Sequence, residues 1–289
     1  NRVAKQNGIG SLTLVDEQGR FTKEVNDFYG QYVKDEFYTE NDTKPKLPAD
    51  VQIIIKLKES GLLFNSEKYE HSYPHCWRTD KPILYYPMDS WFVKTTDHKQ
   101  RMMELNKTIN WKPSSTGEGR FGNWLENLVD WNLSRSRFWG IPLPIWRTEN
   151  GKEEICIGSL EDLKVEIDRS VNLGFMKKNP LADFKAGDFS DKNYSIFDLH
   201  RPYVDDIILA SKSGLRMKRE LDLIDVWFDS GSMPYAQLHY PFENKELFGN
   251  RFPADFIAEG VDQTRGWFFT LHAISTLLFD SVAYKNVVS

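Results

Sequence analysis

The clearest pattern of apolar and polar positions lies at the carboxyl-terminal end of the chain. Short apolar runs at 254–258 and 284–288 flank a longer, strongly apolar run at 265–280. Runs of these lengths in this order predict a strand, a helix and a second strand. Strands joined in this way are expected to be parallel, and parallel sheets bind ligands at the carboxyl ends of their strands. We therefore expect a site at residues 259–263, directly after the first strand.

Weaker patterns predict further helices and strands around this βαβ unit, as in an α/β protein. Apolar residues spaced three and four positions apart predict helices at 50–61, with Asp50 as the cap, at 97–110, at 120–131 and directly after Ser159. Alternating, β-branched and aromatic residues predict a hairpin at 11–22, a strand pair at 82–95, an extended edge at 135–146, a strand at 154–157 and a buried strand with a Ser-Gly turn at 225–231.

Composition and charge narrow the possible partners. The length of 289 residues suggests two domains, and no apolar run is long enough to span a membrane, so no membrane partner is expected. With 37 basic and 42 acidic residues the net charge is −5, and any contact with nucleic acid must therefore be local. The two cysteines, Cys76 and Cys156, are too few for a disulfide framework and predict a reducing compartment, the cytoplasm.

Two short motifs match familiar patterns without the surroundings that those patterns need. Residues 117–122 satisfy the glycine pattern of dinucleotide-binding loops, but the polar segment before them is no strand, so we expect a flexible loop that leads into a helix. His71, His75 and Cys76 offer three zinc ligands, but a tetrahedral site needs a fourth, and Cys156 stands alone. Structural packing is the favoured interpretation, and we assign no metal site.

Aromatic residues make up 14% of the chain, and seven of the nine tryptophans fall between Trp77 and Trp146, which favours an interface or ligand surface. The other two, Trp227 and Trp267, lie in segments that also carry carboxylates. Two indoles could form the walls of an apolar slot, and carboxylates near a helix N-terminus could hold an ammonium group. The carboxylates are Asp225, Asp229, Glu259 and Asp262. They are equally suited to capping helices.

Arg135 and Arg137 stand two positions apart in an extended segment and therefore share a face. They could clamp a phosphate or one end of a nucleic acid. Pairing with surface acids is an equally good interpretation of this spacing.

Four segments resemble the isoleucyl-tRNA synthetases: YEHSYPHCWRTDKPILYYPMDSWFVK, NWLENLVDWNLSRSRFWGIPLPIW, DVWFDSGSMPYAQLHYPFEN and ADFIAEGVDQTRGWFFTLH. The resemblance covers residues 69–289, and the order WFDSG then EGxDQxRGWF separates it from the valyl and leucyl enzymes. It implies an α/β class I synthetase fragment, namely the second half of a nucleotide-binding parallel sheet plus the C-terminal part of an inserted editing domain.

The implied domains are four. Residues 1–88 would be the later part of the editing insertion, 89–146 a catalytic segment, 147–215 a smaller insertion lobe and 216–289 the second half of the catalytic domain. The family's H-I-G-H and K-M-S-K-S motifs for ATP are absent from these residues, and the chain opens at Asn1 without Met, so we expect an internal fragment that is inactive alone.

The resemblance also implies partners and site residues. Trp227 and Trp267 match positions that line the isoleucine pocket. The segment that contacts the amino acid and its adenylate is matched by Glu259, Gly260, Asp262 and Gln263. Glu259 and Asp262 suit the substrate ammonium, and Gln263 suits a neutral hydrogen bond. The whole enzyme would be a cytoplasmic monomer that uses isoleucine, ATP with Mg²⁺, and tRNA(Ile), and that edits mischarged valine.

Two alternatives stay open from the residues. A non-catalytic, aromatic-rich binding module would present its aromatic side chains in one exposed patch. A valine-specific synthetase would share the architecture and differ in the amino acid that it activates best. The synthetase interpretation requires Trp227 and Trp267 to face one cavity beside Glu259.

Overall fold

The computed structural model describes residues 2–10 and 12–289. The chain divides into two compact units, Asn1–Asp89 and Ser90–Ser289. Its helices are α1 (Arg2–Gln6), α2 (Ala49–Glu59), α3 (Lys99–Asn106), α4 (Gly122–Glu126), α5 (Leu160–Asn172), α6 (Asp191–Tyr194), α7 (Val226–Gly231), α8 (Met233–Ala236), α9 (Lys245–Arg251) and α10 (Trp267–Phe279). Its strands are β1 (Phe92–Val93), β2 (Asn110–Lys112), β3 (Trp131–Asn132), β4 (Ser134–Arg135), β5 (Ile145–Thr148), β6 (Glu154–Cys156), β7 (Leu209–Ala210), β8 (Arg216–Arg219), β9 (Leu223–Ile224), β10 (Ile257–Ala258) and β11 (Asn286–Val288).

The first unit contains little regular structure. The predicted helix is confirmed as α2, but Asp50 is not its cap. The capping position lies two residues earlier than expected, at Pro48, and Asp50 therefore falls in the first turn of the helix. In that turn its carboxylate still interacts favourably with the positive end of the helix dipole.

The predicted hairpin contains Ser11, which lies outside the described residues. Its remaining part is a tight antiparallel turn, in which Val15 bridges to Phe21. The Asp16 carboxylate accepts hydrogen bonds from the backbone N–H groups of Gln18 and Arg20, both at 2.9 Å, and so closes this turn.

The predicted strand pair at 82–95 is wrong. In the first unit, Pro82 forms a single bridge to His75. In the second unit, β1 pairs with β3. Pro82 and Pro87 have no backbone N–H to donate, so the segment between them cannot sustain a ladder.

The second unit is built on a parallel sheet in the order β10-β11-β2. Helix α10 connects β10 to β11, which confirms the predicted βαβ unit and the α/β class. Every residue of α10 from Phe268 to Thr276 is buried. The core around it is formed by α3, α4 and the sheet. Residues 97–110 form the predicted helix in shortened form, as α3.

The glycine-rich segment is ordered, and the prediction of a flexible loop is wrong. Residues 116–121 form a π-helix that continues into α4, so the helix predicted at 120–131 is also shorter than expected. A Cβ atom at Gly117 would lie only 2.2 Å from the indole of Trp111, which packs directly on this backbone. Asn106 donates a hydrogen bond to the Gly117 carbonyl at 3.0 Å and accepts one from Trp111 Nε1 at 2.9 Å.

A second, antiparallel sheet in the order β6-β5-β8-β7 packs against α5. The Ser159 hydroxyl accepts a hydrogen bond from the backbone N–H of Asp162 at 3.0 Å, which confirms the predicted cap of α5. The segment predicted as an extended edge is confirmed as non-helical, because it holds β4 and the start of β5. No helix in the described residues is both long and apolar enough to cross a bilayer.

The clustered tryptophans have mixed roles. Trp111 and Trp146 are buried in the cores of the second unit, whereas Trp77 and Trp139 are 86% and 69% exposed. The clustering therefore does not mark one continuous surface.

His272 lies at the centre of α10 and is completely buried. Its Nε2 bonds to the Met102 carbonyl at 2.9 Å, and that partner requires the ring nitrogen to be the donor. Burial lowers its pKa from 6.5 to about 4. The neutral ring is therefore the form that the fold stabilises.

We expect this histidine to make the second unit sensitive to acid. Because the folded pKa lies below the unfolded one, the stabilisation is complete above pH 6.5 and declines as the pH falls towards 4. The lost free energy of unfolding would approach about 3 kcal/mol at the acid end. Urea unfolding followed by circular dichroism at several pH values measures the decline.

The His272→Gln variant keeps a donor for the Met102 carbonyl and removes the titrating ring, so this part of the decline should disappear. His98→Gln, at an exposed position of the same unit, is the matched control and should keep it. Equal pH profiles for the wild type and His272→Gln would refute the prediction.

Candidate functional site

The segment predicted to carry a site does lie at the carboxyl edge of the parallel sheet. Strand β10 ends at Ala258, and the next backbone N–H, that of Glu259, still bonds to the Val288 carbonyl of β11 at 3.3 Å. The chain then forms a 3₁₀ turn, Val261–Arg265, and enters α10 after Gly266. The Glu259 and Asp262 side chains are exposed. Both carboxylates are therefore open to a ligand from solvent.

Gln263 fixes the geometry of this loop. Its Oε1 accepts a hydrogen bond from the backbone N–H of Trp267 at 3.0 Å, and its Nε2 donates one to Asp262 Oδ2 at 3.1 Å. The side chain thus satisfies one of the N–H groups that every helix start leaves free. The sequence suggested a hydrogen bond from Gln263 to substrate, and the structure shows that its carboxamide is also tied within the loop.

Gly260 and Gly266 lie close to side-chain atoms of the loop. A Cβ atom at Gly260 would lie 2.5 Å from Asp262 Oδ1. At Gly266 it would lie 2.8 Å from Gln263 Oε1 and 3.3 Å from the Cη2 atom of Trp227. A side chain at either position would therefore have to displace the end of the Asp262 or Gln263 side chain.

The structure brings Trp227 and Trp267 to the same loop. Trp227 reaches Gly266, as described above, and Trp267 directly follows that glycine. Trp267 Nε1 donates to the Ser230 carbonyl at 2.8 Å, which joins α10 to α7. Below this bond, Gly231 packs against Thr270 of α10, where an added Cβ would approach to 3.0 Å.

The strand predicted at 225–231 is wrong, because this segment is helix α7. Asp225 is its N-cap, and its Oδ1 accepts a hydrogen bond from the Trp227 backbone N–H at 3.3 Å. Aromatic and β-branched residues favoured a strand here, but an Asp directly before an apolar run is also a helix-start signal. Of the two interpretations that the sequence left open for Asp225, the structure shows the cap.

The two arginines predicted to share a face have different surroundings. Arg135 Nη2 donates to Asp225 Oδ2 at 2.7 Å, and Trp131 Nε1 donates to the same oxygen at 3.2 Å. The Arg137 side chain is exposed, while its carbonyl accepts a hydrogen bond from Arg201. Arg135 is thus committed to an acid of the second unit, and Arg137 is the more accessible of the two.

Asp229 lies one helical turn after Asp225. Burial, and secondly the charge of Asp225, raise its pKa. Its Oδ1 is buried and has no hydrogen-bond partner within the described part of the chain. The carboxylates proposed for an ammonium group therefore differ in exposure: Glu259 and Asp262 are exposed, Asp229 is half-buried and Asp225 is buried.

Two arginines make contacts at the end of this loop. Arg120 Nε donates to Thr264 Oγ1 at 2.9 Å. Arg265 lies over the ring of Trp124, 5.1 Å from its centroid, in a cation–π contact. The loop is thus joined to the segment that contains the π-helix and α4.

The described residues contain no group of three or more His, Cys, Asp or Glu side chains placed to bind a metal. His71 and His75 are exposed and bond to carbonyls of their own segment. The pKa of the Cys76 thiol is lowered, mainly by a hydrogen bond from the Thr79 hydroxyl and then by hydrogen bonds from the backbone N–H groups of Arg78 and Thr79.

The family model for class I tRNA synthetases (I, L, M and V) matches residues 22–289. The chain therefore belongs to the class I tRNA synthetase family. This membership confirms, at the level of the family, the resemblance seen in the motifs.

Curated relatives define the similarity more closely. The isoleucine-tRNA ligase of Cytophaga hutchinsonii is 62% identical over 100% of this chain and 26% of that protein. The isoleucine-tRNA ligase of Bacteroides thetaiotaomicron is 63% identical over 99% of this chain and 28% of that protein. The isoleucine-tRNA ligase of Clostridium acetobutylicum is 45% identical over 100% of this chain and 24% of that protein. The chain spans about a quarter of the length of these relatives.

A solved structure, the ternary complex of Agrobacterium radiobacter K84 agnB2 LeuRS-tRNA-LeuAMS, is also similar. It is 17% identical with a TM-score of 0.35, covering 61% of this chain and 22% of that chain.

The close approach at Gly266 leads to a prediction. Gly266→Ala should push the Gln263 carboxamide away from the Trp267 N–H and lower the free energy of unfolding by about 1 kcal/mol, the typical value of one hydrogen bond. Urea unfolding followed by circular dichroism is the measurement.

Gly249→Ala in α9 is the matched control, because a Cβ atom there meets no heavy atom of the described structure within 4 Å. This change should stabilise the helix by about 0.5–1 kcal/mol. If Gly266→Ala stabilises the protein by as much as Gly249→Ala, a Cβ atom at position 266 does not disturb the Gln263 carboxamide, and the prediction is wrong.

Proposed function

We propose that this chain is part of an isoleucine-tRNA ligase. The whole protein would activate L-isoleucine with ATP to give isoleucyl-adenylate and pyrophosphate, and then transfer the isoleucyl group to tRNA(Ile). The observation that carries the proposal is the meeting of Trp227 and Trp267 at the loop after β10, at the carboxyl edge of the parallel sheet. The high identity to isoleucine-tRNA ligases supports it.

The site residues would divide the work of holding isoleucyl-adenylate. The indoles of Trp227 and Trp267 would bound the aliphatic side chain. The carboxylates of Glu259 and Asp262 would attract the ammonium group. Gly260 would let the backbone approach the adenylate, and Gln263 would contribute a hydrogen bond while holding the loop.

Catalysis would then rest on orientation and on stabilisation of charge at the α-phosphate. Mg²⁺ bound to ATP would supply positive charge to the phosphates. The residues of this chain would contribute the fixed position of the amino acid, because acidic and aromatic groups converge on the loop before α10. The ATP motifs of the family are absent from these 289 residues, so we propose that the chain alone does not catalyse the reaction.

An aliphatic slot cannot by itself reject valine strongly. One methylene is worth about 1–3 kcal/mol, a limit for which the isoleucyl enzymes are the usual example. Editing of mischarged valine would therefore be needed, and we propose that residues 1–88 belong to the inserted editing domain. Residues 89–146 and 216–289 would form the catalytic part, and residues 147–215 a smaller lobe.

We further propose that the protein acts in the cytoplasm as a monomer. Cys76 and Cys156 are both free, which is typical of a reducing compartment. The monomeric state rests on the resemblance alone.

The reaction can be tested by isoleucine-dependent exchange of pyrophosphate into ATP. The full-length protein should exchange with isoleucine far better than with valine, whereas the 289-residue chain should show no exchange. Better activation of valine would favour the valine-specific alternative. Absence of any amino-acid dependence would favour the non-catalytic binding module.

The pocket assignment predicts an asymmetric effect of Trp267→Ala in the full-length protein. Loss of the indole removes apolar contact with the side chain of isoleucine but touches no part of ATP. We expect KM for isoleucine to rise by about 10- to 100-fold while KM for ATP stays within about twofold.

Trp139→Ala, at an exposed position in the same unit, is the matched control for tryptophan loss. It should leave both constants unchanged. Equal rises in the two KM values for Trp267→Ala would contradict the assignment of the pocket.

The accessible Arg137 is our proposed contact for tRNA(Ile), while Arg135 is partly withdrawn by its ion pair. Arg137→Ala should raise KM for tRNA by about threefold to tenfold at low salt, less at high salt, without changing pyrophosphate exchange. Aminoacylation kinetics at two salt concentrations measure this. An unchanged KM for tRNA at low salt would eliminate Arg137 as a contact.

A further inference from the structure

We propose that the ion pair between Arg135 and Asp225 positions the Trp227 wall of the amino-acid site, so that its loss weakens binding of isoleucine and not of ATP. The inference rests on the proposed function, because it concerns the same site. Asp225 and Arg135 would be positioning residues, because they would not touch the substrate themselves and would act through the indole of Trp227.

Asp225 is a point of convergence for distant parts of the chain. Its carboxylate is 6% exposed and accepts hydrogen bonds from Arg135, from Trp131 and from the backbone N–H of Trp227. Its own backbone N–H donates to the Leu133 carbonyl at 2.8 Å. The start of α7 is therefore tied to strands β3 and β4, about ninety positions earlier in the chain.

Helix α7 is held differently at its two ends. Its C-terminal end lies against α10, through Gly231 and through the bond from Trp267 to the Ser230 carbonyl. Its N-terminal end, which carries Trp227, is held by Asp225. The first turn of a helix has free N–H groups and frays without a cap, so the position of Trp227 depends on this anchor.

Packing alone does not fix Trp227. The residue is 41% exposed, and one edge of its ring lies against Gly266. A half-exposed indole on a six-residue helix can change position at little cost, unless the backbone that carries it is immobile. The anchor at Asp225 supplies that immobility.

Charge makes Arg135 a necessary part of the anchor. The Asp225 side chain is 6% exposed and the Arg135 side chain 36% exposed, so removal of Arg135 leaves a buried carboxylate without its compensating charge, which is unfavourable. Asp229, one turn later, already has its pKa raised by burial and then by the charge of Asp225. Without Arg135, the first turn of α7 would carry two poorly compensated carboxylates, and we expect it to shift.

The test uses pyrophosphate exchange by the full-length protein. Asp225→Asn keeps a side-chain oxygen that can cap α7 but removes the charge, and Arg135→Gln removes the other charge. Each should raise KM for isoleucine by about tenfold, leave KM for ATP within about twofold and leave kcat nearly unchanged. Arg135→Lys, which restores the charge, should recover part of the loss.

A double variant and a control ion pair complete the design. The variant that combines Asp225→Asn with Arg135→Gln should have a KM for isoleucine no higher than that of the more affected single variant, because the two substitutions remove the same interaction. Asp280→Asn breaks an exposed ion pair with Arg101 in the same unit, at 2.6 Å, and should leave both KM values unchanged. Additive losses, equal rises in both KM values, or no rise would overturn the proposal.

A second readout separates this inference from the proposed function. In full-length protein labelled with 5-fluorotryptophan, the ¹⁹F resonance of Trp227, assigned with Trp227→Phe, should shift or broaden in Arg135→Gln and not in Asp280→Asn. If the wild type shows no isoleucine-dependent pyrophosphate exchange, the proposed function fails. The Trp227 resonance would still show whether the ion pair between Arg135 and Asp225 positions Trp227. An unchanged Trp227 resonance in Arg135→Gln would refute it.

Discussion

The second unit depends on the burial of α10 between the parallel sheet and its neighbouring helices. Residues Phe268 to Thr276 are buried without interruption, so this stretch of the helix turns no face towards water. A helix that is buried on all sides must be covered by other elements on all sides. The sheet, α3 and α7 provide that cover, and they thereby fix where α10 begins. Because the site lies at that beginning, the position of the loop 259–266 follows from the packing of the core.

Sequence reasoning succeeded where the signal was local and failed where a tertiary contact decided. The apolar runs at 254–258, 265–280 and 284–288 were long and distinct enough to predict the βαβ unit. The segment at 225–231 was misread because its aromatic residues suggested a strand, whereas capping by Asp225 selects a helix. The π-helix at 116–121 depends on the Trp111 indole packing on Gly117, a contact that no pattern within the segment shows.

The same division holds for the site. The resemblance implied that Trp227 and Trp267 line one pocket, and the structure places both beside Gly266. The hydrogen bonds of Gln263 were not foreseeable, because they require the turn before α10 to bring its side chain back onto the helix start. The bond from Arg120 to Thr264 was equally hidden, because it joins residues far apart in the chain.

The unequal support at the two ends of α7 has a consequence for how the protein can change over time. Its C-terminal end is held by the packing of Gly231 on Thr270 and by the Trp267 indole, which donates to the Ser230 carbonyl. Its N-terminal end is held by the Asp225 carboxylate with Arg135 and Trp131, and by the bond from the Asp225 backbone N–H to the Leu133 carbonyl. Of these contacts, those made by side chains can be exchanged one at a time. Substitutions around Asp225 could therefore retune the shape of the aromatic wall while the core of the unit remains intact. Selectivity and folding would then be able to evolve on separate sets of positions.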